Sequence, residues 1–501
     1  MTWMRWVSTM ALLAGLTLSS GSSARIPAGS IDRPIYPPPR STLHSAIDDV
    51  RAYGQVGGSD GARGAAVVSP TPVVGRLRTL GSQCFADDTG CRTFSIAHQG
   101  DLAARYVWGC ARGDAGQIEI ARQDLRDAAA AGYAISRTWW RFDDAPGTPW
   151  FTAAYPGFEP SATPDFLRCG AELIRFAGSL GLRITVGPGG IDKLGKQDER
   201  QLFALYRQLI DAGGHDNIAW VEALNEPSSL YATSDTDGDH EPGYLSELVH
   251  IVLNGTNVLG HLGYADNNNY RETARYTPSW QRYNYVHGSR GGNVFDKISR
   301  RFTWGREFAE ETGLVNGRLT IDGESVGWPV GLGLQRVSDT TSGHEMNDPE
   351  ALALIALATA VRGIPSHMSG TGIQRFEPFT NTVGWREIPW AVSQLPKDVA
   401  TFALVHGGQV HDSRVVIEAT TNAAGTLGRA DQAVGPNGEL VALLYNQAPN
   451  HAQRFKFRRA AEFRLCDVGQ MTCATHNVPA GGSLDTGVMQ WGRLLVGRSA
   501  M

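Results

Sequence analysis

Between Thr93 and His406 the chain alternates short strand-like runs with longer stretches of helical periodicity, and this alternation constrains its fold more than any other feature. The strand candidates are Thr93–His98, Tyr133–Trp140, Leu182–Gly187 and Ile218–Asn225, and the amphipathic stretches between them are Gln117–Ala131, Pro164–Leu180 and Asp198–Ala212. Gly132 and Gly181 stand where helix C-caps belong. The pattern continues less clearly through Tyr244–Gly260, a strand near His261–Asp266 and Tyr283–His287. Then come a helix Val294–Glu311, a strand Arg318–Glu324, a helix Pro349–Arg362, a strand Ile364–Ser369 and a helix Ala391–His406. Eight such units predict an α/β protein built as a (β/α)8 TIM barrel. An open doubly wound sheet would carry a Gly-rich phosphate loop after its first strand. None is present, and Gly187-Pro188-Gly189-Gly190 follows the third strand instead.

After His406 the period changes. Val410–Glu418, Glu439–Tyr445, Gln453–Arg458 and Met489–Val496 are short runs separated by Gly, Asn and Pro turns. They predict a small C-terminal antiparallel β-sandwich over 407–501, behind a barrel over 73–406. At the other end, Met1–Ala24 reads as a signal peptide: Arg5, the apolar run Val7–Leu18, then Ser22-Ser23-Ala24 as a cleavage site. That run is too short for a membrane anchor, and no later segment is long and apolar enough to span a bilayer. Residues 25–72 are rich in Pro, Gly and Ser without periodicity, as in a linker or wrapping arm. Export, to a secreted or periplasmic location, is the expectation. A net charge of −5 without a basic stripe argues against a nucleic-acid partner.

Six cysteines suit an oxidising compartment. Cys84 and Cys91 flank the turn signal Ala86-Asp87-Asp88-Thr89-Gly90, and Cys466 and Cys473 repeat that spacing. Cys110 and Cys169 remain as a candidate third pair. No CxxC or His spacing suggests zinc, so disulfides are expected, with neither metal nor cofactor.

The stretch Ile218-Ala-Trp-Val-Glu-Ala-Leu-Asn-Glu-Pro-Ser-Ser229 is an apolar run that stops at a proline. Pro227 cannot donate to a ladder, so pairing should end near Asn225 and Glu226 and leave both side chains at a strand tip. The C-terminal ends of barrel strands are where catalysis sits in such folds. Arg318–Glu324 is again a strand ending in a carboxylate, followed by Ser325-Val326-Gly327-Trp328. Two carboxyls about 5–5.5 Å apart across a barrel mouth are the apparatus of retaining glycoside hydrolysis.

With these residues in hand, the chain resembles the clan of retaining (β/α)8 glycoside hydrolases (clan A), and within it the cellulase-like glycoside hydrolase family 5. The resemblance spans roughly Gly75 to His406. It includes the hairpin Phe85–Arg92, the first strand Thr93–His98 and Ser136-Arg137-Thr138-Trp139 on strand two. Asn225-Glu226-Pro227 on strand four is its most specific motif. The resemblance implies Glu226 as acid/base and Glu324 as nucleophile. It places Asn225 on the sugar 2-hydroxyl and Arg137 near Glu324, which it would keep ionised. Tyr285 and His287 join the candidate substrate-binding set, and Trp139, Trp140 and Trp328 lie near the presumed strand ends, where they could stack on sugar rings. Glu222 lies within strand four and receives no role.

Members of that family often carry a His on strand three, a His-x-Tyr on strand six and a Trp on strand eight. Here strand three ends in Val186-Gly187-Pro188, strand six reads Tyr285-Val286-His287, and strand eight offers His367-Met368-Ser369-Gly370. The implied activity is cleavage of a poly- or oligosaccharide by double displacement. A carbohydrate-binding protein that has lost turnover, or a transglycosylase, would use the same barrel.

Overall fold

The computed structural model describes residues 72–81, 84–140, 164–189, 196–225, 241–263, 277–286, 294–296, 298–299, 302, 319–326, 348–364, 366–368, 380, 384–406 and 412–500. The expected signal peptide and nearly all of the linker lie outside them. All the described residues belong to one compact unit, Arg63–Met501.

A three-stranded antiparallel sheet comes first: β1 (Arg78–Leu80), β2 (Cys84–Asp87) and β3 (Gly90–Arg92). The parallel sheet follows, as β4 (Ser95–His98), β5 (Ile135–Arg137), β6 (Arg183–Val186), β7 (Ile218–Glu222), β8 (Leu259–His261), β9 (Tyr283–Val286), β10 (Leu319–Val326) and β11 (Ser366–Met368). Between its strands run α1 (Leu102–Arg112), α2 (Ala115–Ala131), α3 (Pro164–Ser179), α4 (Lys196–Gly213), α5 (Pro242–Leu253) and α6 (Pro349–Ala360). The hydrogen-bonded order is β8-β7-β6-β5-β4-β11-β10-β9, so the first and last strands of this sheet in chain order, β4 and β11, are paired neighbours. The ends of that order, β8 and β9, meet through rings. His261 stacks on Tyr285 at 3.9 Å and lies edge-on to Tyr283 at 5.7 Å.

Inside the sheet one apolar cluster gathers Ile96, Ile135, Trp220, Leu259, Tyr283, Leu319 and Ile321. Phe85, from the hairpin, joins it edge-on to Phe94 and Tyr283. Leu102, Ala103, Tyr106 and Val107 give α1 a buried face that the sequence reading left unassigned. The Asp114 carboxylate caps α2 by accepting from the amides of Gly116 and Gln117, and Gly132 ends it at a φ of 98°.

Asp87 ties the hairpin to the start of β6. It accepts from the Thr89 amide and hydroxyl at 2.9 and 2.6 Å and meets Arg183 at 3.3 Å. Burial opposes its ionisation, but the Thr89 hydrogen bonds and the charges of Arg92 and Arg183 prevail and hold the carboxyl below its usual range. A carboxyl with a depressed folded pKa contributes stability above its unfolded pKa and loses it as pH falls through the folded value. Wild type should therefore exceed Asp87→Asn in stability at neutral pH, and the gap should close as pH drops below about 4, by urea melts at a series of pH values.

The three disulfides are Cys84–Cys91 and Cys466–Cys473, as the spacings suggested, and Cys110–Cys169, the pair that remained. Cys110–Cys169 joins α1 to α3 and closes a loop of 59 residues. Its loss in a Cys110→Ser, Cys169→Ser double variant should cost about 4 kcal/mol on the loop-entropy account. Urea unfolding with both other bridges intact measures this.

The C-terminal region begins earlier than the sequence suggested. The helix expected over Ala391–His406 is instead the short α7 (Glu387–Ser393), a 3-10 turn at Val399–Thr401 and a strand, β12 (Ala403–Val405). β12 pairs with β15 (Leu427–Val434), a strand the sequence reading missed, in a sheet that continues through β16 (Glu439–Asn446), β21 (Gly492–Ser499), β18 (Ala461–Asp467) and β19 (Thr472–Val478). A second sheet holds β13 (Ile417–Glu418), β17 (His451–Phe457) and β20 (Ser483–Met489). β14 (Thr420–Thr421) pairs with β15. Of the strand expected over Val410–Glu418, only Ile417–Glu418 is extended into a ladder among the described residues. The run Met489–Val496 is two strands, because Gln490 and Trp491 turn the chain from β20 into β21.

The two sheets share one core that includes Ile417, Phe455, Phe457, Leu440, Phe463 and Leu495. The other face of the larger sheet covers α6, whose residues from Glu350 to Ala360 are all buried. A helix apolar on every side needs such double cover. Asp348 caps α6 through the Glu350 and Ala351 amides and accepts from the Trp491 indole at 2.6 Å. Glu350 accepts from the Trp491 and Gly492 amides at 2.7 and 2.8 Å. Among the described residues no helix is long and apolar enough to cross a membrane.

Candidate active site

β7 carries one residue more than its neighbour β6. Ile184 pairs with Ile218, but Val186 pairs with Val221, so the register slips within β7. Side chains on a regular strand alternate, and an extra residue reverses their phase. Ala219 and Trp220 accordingly both join the inner cluster, whereas Ile218 and Val221 both join the outer core beneath the helices. Glu222, next in line, turns inward and ends β7, three residues before the expected Asn225.

There it meets Arg137, the last residue of β5, which is wholly buried. The Arg137 Nη2 and Nε donate to the two Glu222 carboxylate oxygens at 2.6 and 3.1 Å. Nη2 also donates to Asn225 Oδ1 at 2.7 Å. The rings of Tyr285 and Trp139 lie 5.6 and 5.9 Å from the Arg137 guanidinium carbon. His98, ending β4, sits edge-on to Trp139 at 5.0 Å, and His261, ending β8, stacks on Tyr285. Burial and then the negative charge of Glu222 push the Tyr283 phenol well up and keep it neutral.

Two glycines make this convergence possible. Gly189 has a φ of 79°, and a Cβ there would come within 2.7 Å of the Trp139 ring. Its carbonyl accepts from the Asn225 amide at 2.7 Å. Gly263 has a φ of 84°, and a Cβ there would collide with the Leu224 carbonyl.

Of the residues the sequence singled out, the structure brings together Arg137, Asn225, Trp139 and Tyr285. Tyr285 is buried, a wall behind Arg137 and His261, while Trp139 is half-buried and its indole N–H has no acceptor among the described residues. Trp140 is core: it is wholly buried, donates to the Thr185 carbonyl at 2.7 Å and packs edge-on to Phe166, so it is not a stacking surface. Glu226, His287 and Trp328 lie outside the described residues. The Glu324 backbone lies in β10, within a further irregularity. Asp322 pairs with Ser366 and Val326 with Met368, so β10 spends more residues than β11 over the same span. Bulges of this kind re-aim side chains beside active sites.

The sequence reading missed Glu222, His98 and His261. Each ends a strand, which was the available signal. Among the described residues no cluster of three or more His, Cys, Asp or Glu could hold a metal ion.

No family model and no curated protein matches the sequence. Its structural neighbours are glycoside hydrolases. An α-amylase from Anoxybacillus is similar over 82% of this chain and 99% of its own, at 9% identity and a TM-score of 0.48. A glycoside hydrolase family 5 mannosidase from Rhizomucor miehei is similar over 65% of this chain and 98% of its own, at 9% identity and a TM-score of 0.41. An endo-β-1,6-glucanase is similar over 87% and 96%, at 10% identity and a TM-score of 0.41.

Proposed function

We propose that the chain is an exported, retaining O-glycoside hydrolase that cleaves a poly- or oligosaccharide by double displacement. The Arg137–Glu222–Asn225 cluster, in which Arg137 and Glu222 are buried, carries this reading, because it sits at the C-terminal ends of parallel strands immediately before Glu226. In the proposal the eight parallel strands close into a barrel through β8 and β9. The two C-terminal sheets form a sandwich that braces α6 and supplies no catalytic group.

Glu324 attacks the anomeric carbon, and Glu226 protonates the departing oxygen; water then hydrolyses the glycosyl-enzyme, with Glu226 taking its proton. Arg137 uses its Nε and Nη2 donors on Glu222 and Asn225, and its Nη1 donors go to Glu324, holding it ionised. Glu226 requires the opposite, a raised pKa, which its negative neighbour supplies. Trp139 and Trp328 offer faces to sugar rings, and His287 and the Tyr285 wall bound the site.

Screening the purified, processed protein on polysaccharides and aryl glycosides tests this. The expected result is hydrolysis of at least one glycoside, nearly lost in Glu226→Ala on unactivated substrates, with turnover of an activated substrate by that variant raised by azide. Activity that survives Glu226→Ala undiminished on an unactivated substrate would exclude the assignment. Intact mass after export should lack residues 1–24.

A further inference from the structure

Glu222 belongs to no motif, yet it is only 2% exposed and holds a buried guanidinium with both oxygens. The same Nη2 that meets Glu222 at 2.6 Å donates to Asn225 at 2.7 Å. A guanidinium has hydrogens to give and no lone pair with which to accept, so the Asn225 atom facing it must be the oxygen. The amide orientation therefore follows from chemistry. The Asn225 nitrogen is left without a partner among the described residues, and Asn225 itself is only partly buried.

We infer that Glu222 is a positioning residue that, through Arg137, locks the Asn225 amide so that it meets a sugar hydroxyl as a donor. This rests on the glycosidase reading above and deepens it. An unlocked amide can present either its oxygen or its nitrogen, and only the nitrogen can donate to the hydroxyl oxygen. A hydroxyl whose oxygen accepts from Asn225 keeps its own hydrogen for a carboxylate. The register slip in β7 turns Glu222 inward and so makes the lock possible.

The test uses matched aryl glycosides with and without a 2-hydroxyl, on wild type, Glu222→Ala, Glu222→Gln, Asn225→Ala and the Glu222→Ala, Asn225→Ala double variant. A contact that strengthens in the transition state shows in kcat more than in KM. Glu222→Ala should lose about 10- to 100-fold in kcat on the hydroxylated substrate and far less on the 2-deoxy one, the scale of a small misplacement. Glu222→Gln keeps one acceptor oxygen but sets its NH2 against an Arg137 donor, so it should recover part of the loss. The double variant should discriminate no worse than Asn225→Ala alone. Equal losses on both substrates, or additive losses of discrimination, overturn the inference, and Glu222→Gln carries the kinetic test if Glu222→Ala does not fold. A crystal structure of Glu222→Ala separates the two readings. Arg137 should leave Asn225 Oδ1, and finding both side chains unmoved overturns the lock whatever the activity. A wild type that hydrolyses no glycoside removes the glycosidase reading, and the crystal structure still decides the lock.

Discussion

Glu324→Ala is expected to lower turnover on every glycoside by roughly 10⁴- to 10⁶-fold, because loss of a nucleophile removes the covalent step itself. Glu226→Ala should behave differently. Its loss hurts poor leaving groups most, since these need a proton as they depart, and activated aryl glycosides least. Azide then fills the space left by the carboxyl and attacks the glycosyl-enzyme. For a β-linked substrate the product is the β-glycosyl azide. Steady-state kinetics across a series of leaving groups checks both variants together. Equal losses for the two variants on all substrates would mean that the roles are not divided this way.

The second large effect is on stability. Arg137→Ala strands the Glu222 carboxylate, buried with its bidentate partner gone. Breaking a buried pair from one side costs about 3–5 kcal/mol. That is a large part of the 5–15 kcal/mol that typically holds a domain together. Replacing both members, as Arg137→Met with Glu222→Leu, removes the stranded charge and should cost markedly less than Arg137→Ala alone. Urea unfolding of the two variants measures the difference. A double variant less stable than Arg137→Ala would show that the pair contributes more than its members' desolvation removes.

The parallel sheet was legible because its strands and helices differ in period and because Gly132 and Gly181 mark helix ends, features that need no tertiary context. Glu222 was not. Its inward orientation depends on one extra residue in β7, and a register slip against β6 leaves no trace in the composition of Ile218–Asn225. The same limit applies to Gln490 and Trp491, which turn the chain between two sheets inside what reads as one apolar run. α6 was legible as a helix. That β16 and β21 cover it is seen only in the structure. β12 was hidden because Ala403–Val405 is too short to declare a period, and it is a strand only through pairing with β15. At the site, Arg137 was visible through its strand-end position and Asn225 through its place just before Pro227, whereas the bond between them was not.

The stereochemistry of the first product tests the central claim most directly. Two displacements restore the anomeric configuration, whereas one inverts it. Proton NMR of a hydrolysis followed before mutarotation should show the first sugar released with the anomeric configuration of the substrate. A first product of opposite configuration would contradict the pairing of Glu226 with Glu324 as acid/base and nucleophile.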